Sequence, residues 1–106
     1  MTREELLSLS ATDVRPVKLG KQGTVYVRSL SVADTEHAKA MTEIGTPWLV
    51  AWVLLCACDA DGARLFADAD AEVLAKMPAK YVKTICTEAL KLNGFAPDEL
   101  EGDVKN

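Results

Sequence analysis

The sequence predicts a mainly helical α+β fold: a small domain with an N-terminal β-hairpin at about 14–29, several short helices and one long C-terminal amphipathic helix. Three observations carry this. β-branched and aromatic residues gather at Val14, Val17 and Thr24-Val25-Tyr26-Val27, on either side of Gly20-Lys21-Gln22-Gly23. Apolar residues from Tyr81 to Leu90 recur at i, i+1, i+4, i+5, the spacing of one helix face. Between these segments, proline, glycine and capping residues divide the chain into pieces of about one to four helical turns.

Taken in order, Thr2 and Glu5 have capping-box spacing ahead of Leu6, Leu7 and Leu9, which predicts a short amphipathic helix. Pro16 rules out its continuation, and the hairpin follows. Ser31, with Asp34 three residues on, opens a polar, alanine-rich helix to about Met41, whose apolar contacts are Ala38, Met41 and Ile44. Gly45 ends it, and Thr46-Pro47 restarts a helix with a capping residue and a proline at the first helical position.

That third helix, residues 47–58, is apolar all round. Trp48, Trp52 and Leu55 form one row, Leu49, Val53 and Cys56 a second, and Val50, Leu54 and Ala57 a third. Such a helix must be buried on every side, yet a chain of 106 residues has room for one modest core. The sequence therefore predicts core on one side and self-association or a protein partner on the other, with Trp48, Leu49, Trp52, Val53 and Leu55 as the binding residues. Tryptophan is enriched at interface hot spots because it buries a large area.

Asp59 to Gly62 predicts a turn, Arg64-Leu65-Phe66 a return, and Asp68, Asp70 and Glu72 an acidic helix start, where negative charge meets the positive end of the helix dipole. The turn is expected to hinge the apolar helix to the acidic one. Pro78 precedes the long helix, about 79–93, and Gly94 stops it. Its outer face carries Lys80, Thr84, Thr87 and Lys91. Residues 1–96 make one domain, and 97–106 an acidic tail expected to be flexible and able to answer those lysines electrostatically.

Composition narrows the function classes. A net charge of -4 and a pI near 4.9 argue against nucleic acid as the main ligand, since phosphate binding draws on clustered Lys and Arg. The N-terminus lacks a signal-peptide core, and the apolar run from Trp48 to Cys58 falls short of the ~20 residues that span a bilayer. No membrane partner is expected. Cys56, Cys58 and Cys86 form no Cys-x-x-Cys pair and suit a reducing compartment. If Cys56 and Cys58 share a helix, their side chains point about 200° apart and cannot grip one metal ion.

The acidic turn is the one stretch with the look of a metal site. A calcium loop opening at Asp59 has Asp61 at position 3 and Asp70 at position 12, but Ala63 occupies position 5 and the glycine falls at 4 rather than 6. No carboxylate pair sits in an apolar setting suited to general acid–base work. His37, the only histidine, lies between Glu36 and Lys39 on the polar helix and reads as a surface imidazole. No nucleophile elbow, P-loop or dinucleotide glycine pattern is present. The expectation is a protein without catalytic residues, cofactor or metal.

The order of segments resembles a family. An acidic N-terminal helix, Gly23 to Leu30 (Gly-Thr-Val-Tyr-Val-Arg-Ser-Leu), a polar helix, Cys58 to Asp70 with its Asp-Ala-Asp-Gly turn, and Ala89 to Phe95 (Ala-Leu-Lys-Leu-Asn-Gly-Phe) together are similar to the tail assembly chaperones of long-tailed bacteriophages and prophages. The likeness covers nearly the whole chain and rests on order and spacing, since each motif is short. Two features depart from the family: no tryptophan precedes the second strand, and Trp48 and Trp52 make the third helix more aromatic.

The resemblance implies a non-enzymatic, homo-oligomeric protein of the bacterial host cytoplasm. It would hold the tape measure protein soluble while tail tube subunits assemble, and be missing from the mature virion. It also implies a frameshifted longer form that recruits tail tube protein, with Val104-Lys105-Asn106 compatible with an adenine-rich slippery site. The alternative is a small helical adaptor or regulatory module of prophage origin.

Overall fold

Pro16 and the valines around it set the edge of the sheet. In the computed structural model, which describes residues 1–95, β1 (Val14–Lys18) and β2 (Thr24–Arg28) pair antiparallel, with Pro16 opposite Tyr26 and Val17 opposite Val25. Among the described residues β1 has β2 as its only neighbour, so the N–H that Pro16 lacks costs no ladder bond. Val17 and Val27 turn into the core. The acidic tail expected at 97–106 lies outside the described residues.

Five helices follow the predicted order. α1 (Arg3–Leu7) is capped by Thr2, whose side chain accepts from the Glu5 N–H, but it buries nothing: Leu6, Leu7 and Leu9 are all exposed. The expected amphipathic helix forms without finding a surface. α2 (Val32–Glu43) opens with the full reciprocal capping box between Ser31 and Asp34 and runs past Met41. Ala38 and Met41 are buried, whereas Ile44, an expected contact, is 85% exposed at the cap. α3 (Trp48–Cys56) starts after Pro47, which is itself the cap residue in place of Thr46. α4 (Ala71–Ala75) follows a 3-10 turn at Asp68–Asp70, where the Asp70 carboxylate accepts from the Ala67 N–H at 2.8 Å. α5 (Ala79–Leu92) buries Val82, Ile85, Cys86, Ala89 and Leu90, the face its spacing predicts.

The largest departure comes at the end of α3. Residues 57 and 58, expected to be helical, form β3 (Ala57–Cys58), which pairs antiparallel with β2 through Tyr26↔Cys58 and Val27↔Ala57. Buried backbone groups on the inner edge of β2 need partners, and two extended residues supply them. Cys56 and Cys58 therefore do not share a helix; all three thiols are free and buried. Burial pushes the Cys86 thiol up to about 12 and the Cys56 thiol higher still, while at Cys58 the nearby Arg28 offsets part of the same upward push.

Beyond β3 the chain doubles back on itself. The Asp59 N–H donates to Ala63 O at 2.9 Å, Cys58 bridges Arg64, and the Leu65 N–H donates to Ala57 O at 3.1 Å. The Asp59 carboxylate accepts from the Asp61 and Ala63 N–H groups at 2.8 and 3.0 Å, and Gly62 supplies the left-handed step at φ 89°. The expected hinge is thus a closed hairpin tip, held by its own backbone and by Asp59.

Among the described residues α3 lies at the centre of the hydrophobic cluster. Val50 to Cys56 are all buried, covered by α2, α4, α5 and the sheet. Its unpaired C-terminal carbonyls are met by arginines: Arg28 Nε donates to Leu55 O at 2.8 Å and Arg64 Nε to Leu54 O at 3.0 Å. No described helix is long and apolar enough to cross a membrane.

Candidate functional site

The end of α5 builds one wall of the most aromatic surface. Asn93 caps the helix, the Gly94 N–H donates to Lys91 O and the Phe95 N–H to Leu90 O, a Schellman closure that needs the left-handed φ of 87° at Gly94. Asn93 also joins this corner to the start of α2, accepting from the Leu30 N–H at 2.7 Å and donating to Ala89 O at 2.8 Å. The closure brings Phe95 edge-on to Trp52, with centroids 5.6 Å apart and planes at 83°. Trp48, one turn earlier on α3, lies tilted against the other side of Trp52 at 5.8 Å.

Beside the two tryptophans runs a groove of about 270 Å³ between α2 and α3, floored by Ala38 and edged by Thr42, Lys39 and Glu43. Trp52 is 7% exposed and belongs to the core. Trp48 is half-buried and Phe95 is 41% exposed, so these two leave ring surface open to solvent. The rim carries one charge of each sign and the floor is apolar. Such a surface suits an amphipathic helix with a large apolar side chain to insert.

The five residues expected to bind a partner separate. Trp48 and Trp52 lie at this groove. Leu49, one step round the helix, is half-buried against a second, smaller groove of about 160 Å³ formed with Leu74, Met77 and Val82. Val53 and Leu55, at 0% and 2% exposure, are core residues and meet no partner while the fold is intact. From Val50 to Cys56 the helix completes its burial within its own domain, and only its first turn, at Trp48 and Leu49, stays partly open where a partner was expected. A helix apolar in all three rows carries no periodic signal to say which row stays open. Phe95 and the α2 wall were missed for a different reason: their part depends on tertiary contacts.

His37 is the surface imidazole that the sequence predicts, and it has a partner. Its Nε2 lies 2.6 Å from Asp68 Oδ2, and Arg64 donates to the other carboxylate oxygen at 3.0 Å. These two hydrogen bonds, that from His37 first, hold the Asp68 carboxyl below the usual carboxylate range. The cluster clamps α2 to the strand return. Two other acids of this stretch are committed to backbone groups, Asp59 to its own loop and Asp70 to the Ala67 N–H. Among the described residues no group of three or more His, Cys, Asp or Glu side chains converges as a metal site.

Comparison of the chain with protein-family models, with curated proteins and with solved structures returned no match.

Proposed function

We propose that this protein is a tail assembly chaperone that binds the tape measure protein, keeps it soluble in the host cytoplasm and helps bring tail tube protein to it. The order of its motifs and the half-exposed Trp48, seated on Trp52 at the mouth of an apolar groove, support this reading. The groove takes one or two side chains rather than a whole helix, so each contact is weak. A long helical partner coated by several copies gains affinity through multivalency and still releases them when tube subunits arrive.

Co-expression with the tape measure protein of the same genome tests the proposal, with solubility and co-purification as the readout. A soluble complex is expected with the natural chain and none with Trp48→Asp, a site open enough for the fold to survive. Tape measure protein equally soluble without this chain, or a complex unaffected by Trp48→Asp, would overturn it. Gene order offers a second test. A tail tube gene upstream and a very long gene downstream are expected, whereas a solitary gene beside a regulator would favour the adaptor reading.

A further inference from the structure

The acidic turn that follows β3 takes no part in the Trp48 groove, and it forms a narrow tip. Asp59, Ala60, Asp61 and Ala63 are exposed, and no side chain there is longer than an aspartate's. The Asp59 carboxylate accepts from N–H groups of its own loop. Neither it nor the Asp61 carboxylate has a cationic partner among the described residues. Arg28 and Arg64 are engaged with the end of α3 and with Asp34 and Asp68, and Arg15 alternates to the other face of β1 from Val14.

A cleft of about 420 Å³ has the opposite character. It opens between the β1–β2 turn and the first turns of α5, and Lys18, Lys21 and Lys80 line it with Tyr81 and Thr84. None of the three lysines has a carboxylate partner among the described residues. Lys80 lies 5.1 Å over the Tyr81 ring, which holds its ammonium at the cleft wall.

Tip and cleft lie at opposite ends of β1. A Cβ at Gly62 would stand 3.4 Å from Val14 Cγ2, so the tip sits at the first residue of the strand, whereas Lys18 is the last. Strand rise separates those two residues by about 13 Å, and the cleft extends beyond Lys18 to the turn at Gly20–Gln22. The tip is closed by its own backbone and by Asp59, so it cannot fold over onto the cleft of its own chain. A second copy can bring the two together.

We propose that the Asp59–Asp61 tip of one copy seats in the cleft of Lys18, Lys21 and Lys80 on a second copy. Two unpaired acids on a tip of small side chains meet three unpaired lysines in a space wide enough to admit it. The two patches differ, so the contact is heterologous: a copy that uses its tip keeps its cleft free, and copies join head to tail. No residue of the tip or the cleft lines the Trp48 groove, so every copy in the row still presents it. The contact forms whether or not that groove is occupied.

Sedimentation equilibrium on the full chain tests this. At an ionic strength of about 0.01 M, where charges act over ~30 Å, the weight-average mass is expected to climb with concentration from the 11.5 kDa of one chain past that of two. In about 0.5 M NaCl, where that range is only a few ångströms, the growth is expected to vanish. Ala60→Lys/Asp61→Lys and Lys21→Glu/Lys80→Glu each reverse one patch without removing a hydrogen bond or ion pair of the fold, and each alone is expected to lose the growth. Mixed in equal amounts the two variants are expected to regain it, because natural tip meets natural cleft and reversed tip meets reversed cleft. Lys76→Glu/Lys83→Glu, which changes the net charge as the cleft variant does but at other exposed lysines, is expected to associate like the natural chain. A mass that concentration or salt leaves unchanged, growth that survives either reversal, a mixture that does not recover, or loss of growth in Lys76→Glu/Lys83→Glu would each overturn the proposal.

Discussion

Arg28 and Arg64 reach from different parts of the sequence to adjacent carbonyls at the end of α3, and they permit an entirely apolar helix to end inside the protein. A buried carbonyl without a donor costs about 1–3 kcal/mol, and α3 has no polar side chain of its own to offer. Arg64→Met keeps the aliphatic stem and removes the donor to Leu54 O. The expected loss is about 1–3 kcal/mol of unfolding free energy by urea denaturation, and a loss no larger than that of Asp68→Asn would show that only the surface ion pair mattered. Neither arginine was legible as a cap. In the sequence Arg28 ends a strand and Arg64 follows a turn, and nothing local links them to Leu54 and Leu55, ten and 27 residues distant.

The elements differ in how much of themselves the sequence discloses. α5 alternates apolar and polar positions with helical period, so its buried face and its Asn93-Gly94 end were both readable. α3 alternates nothing, so its length was overread by three residues, one at its start and two at its end, its strand continuation was missed, and three of its buried residues, Trp52, Val53 and Leu55, were assigned to a partner. Between α2 and the return from β3 the link is the Asp68 carboxylate, held by His37 and Arg64. Because its folded pKa lies below the ordinary value of 3.8, its contribution is fully present above that pH and is lost as pH falls through the lower folded value. The side chain is 46% exposed, so the contribution is screened and salt-sensitive. Urea titrations across acid pH are expected to show the advantage of the natural chain over Asp68→Asn shrinking below pH 3.8. An advantage that is constant down to the acid limit would mean that the clamp contributes nothing.

At the scale of the whole molecule, folding and surface chemistry occupy different parts of the chain. The covalent start of the packed body is Asp13, whose N–H donates to Ser29 Oγ and whose carbonyl accepts the Ser29 N–H, both at 2.9 Å. Ahead of it, Met1, Leu6, Leu7 and Leu9 are all more than half exposed, and α1 contributes no buried residue. Exposed positions that make no such contacts change stability by no more than about 0.5 kcal/mol. Deleting residues 1–10 is therefore expected to leave the urea unfolding free energy unchanged within that range, and a loss of 2 kcal/mol or more would show that α1 packs on the body. Light scattering on the same two proteins separates folding from assembly. An unchanged unfolding midpoint with a solution mass lowered by more than the deleted residues would assign the N-terminal leucines to contacts between copies, the multiplicity that the proposed function requires.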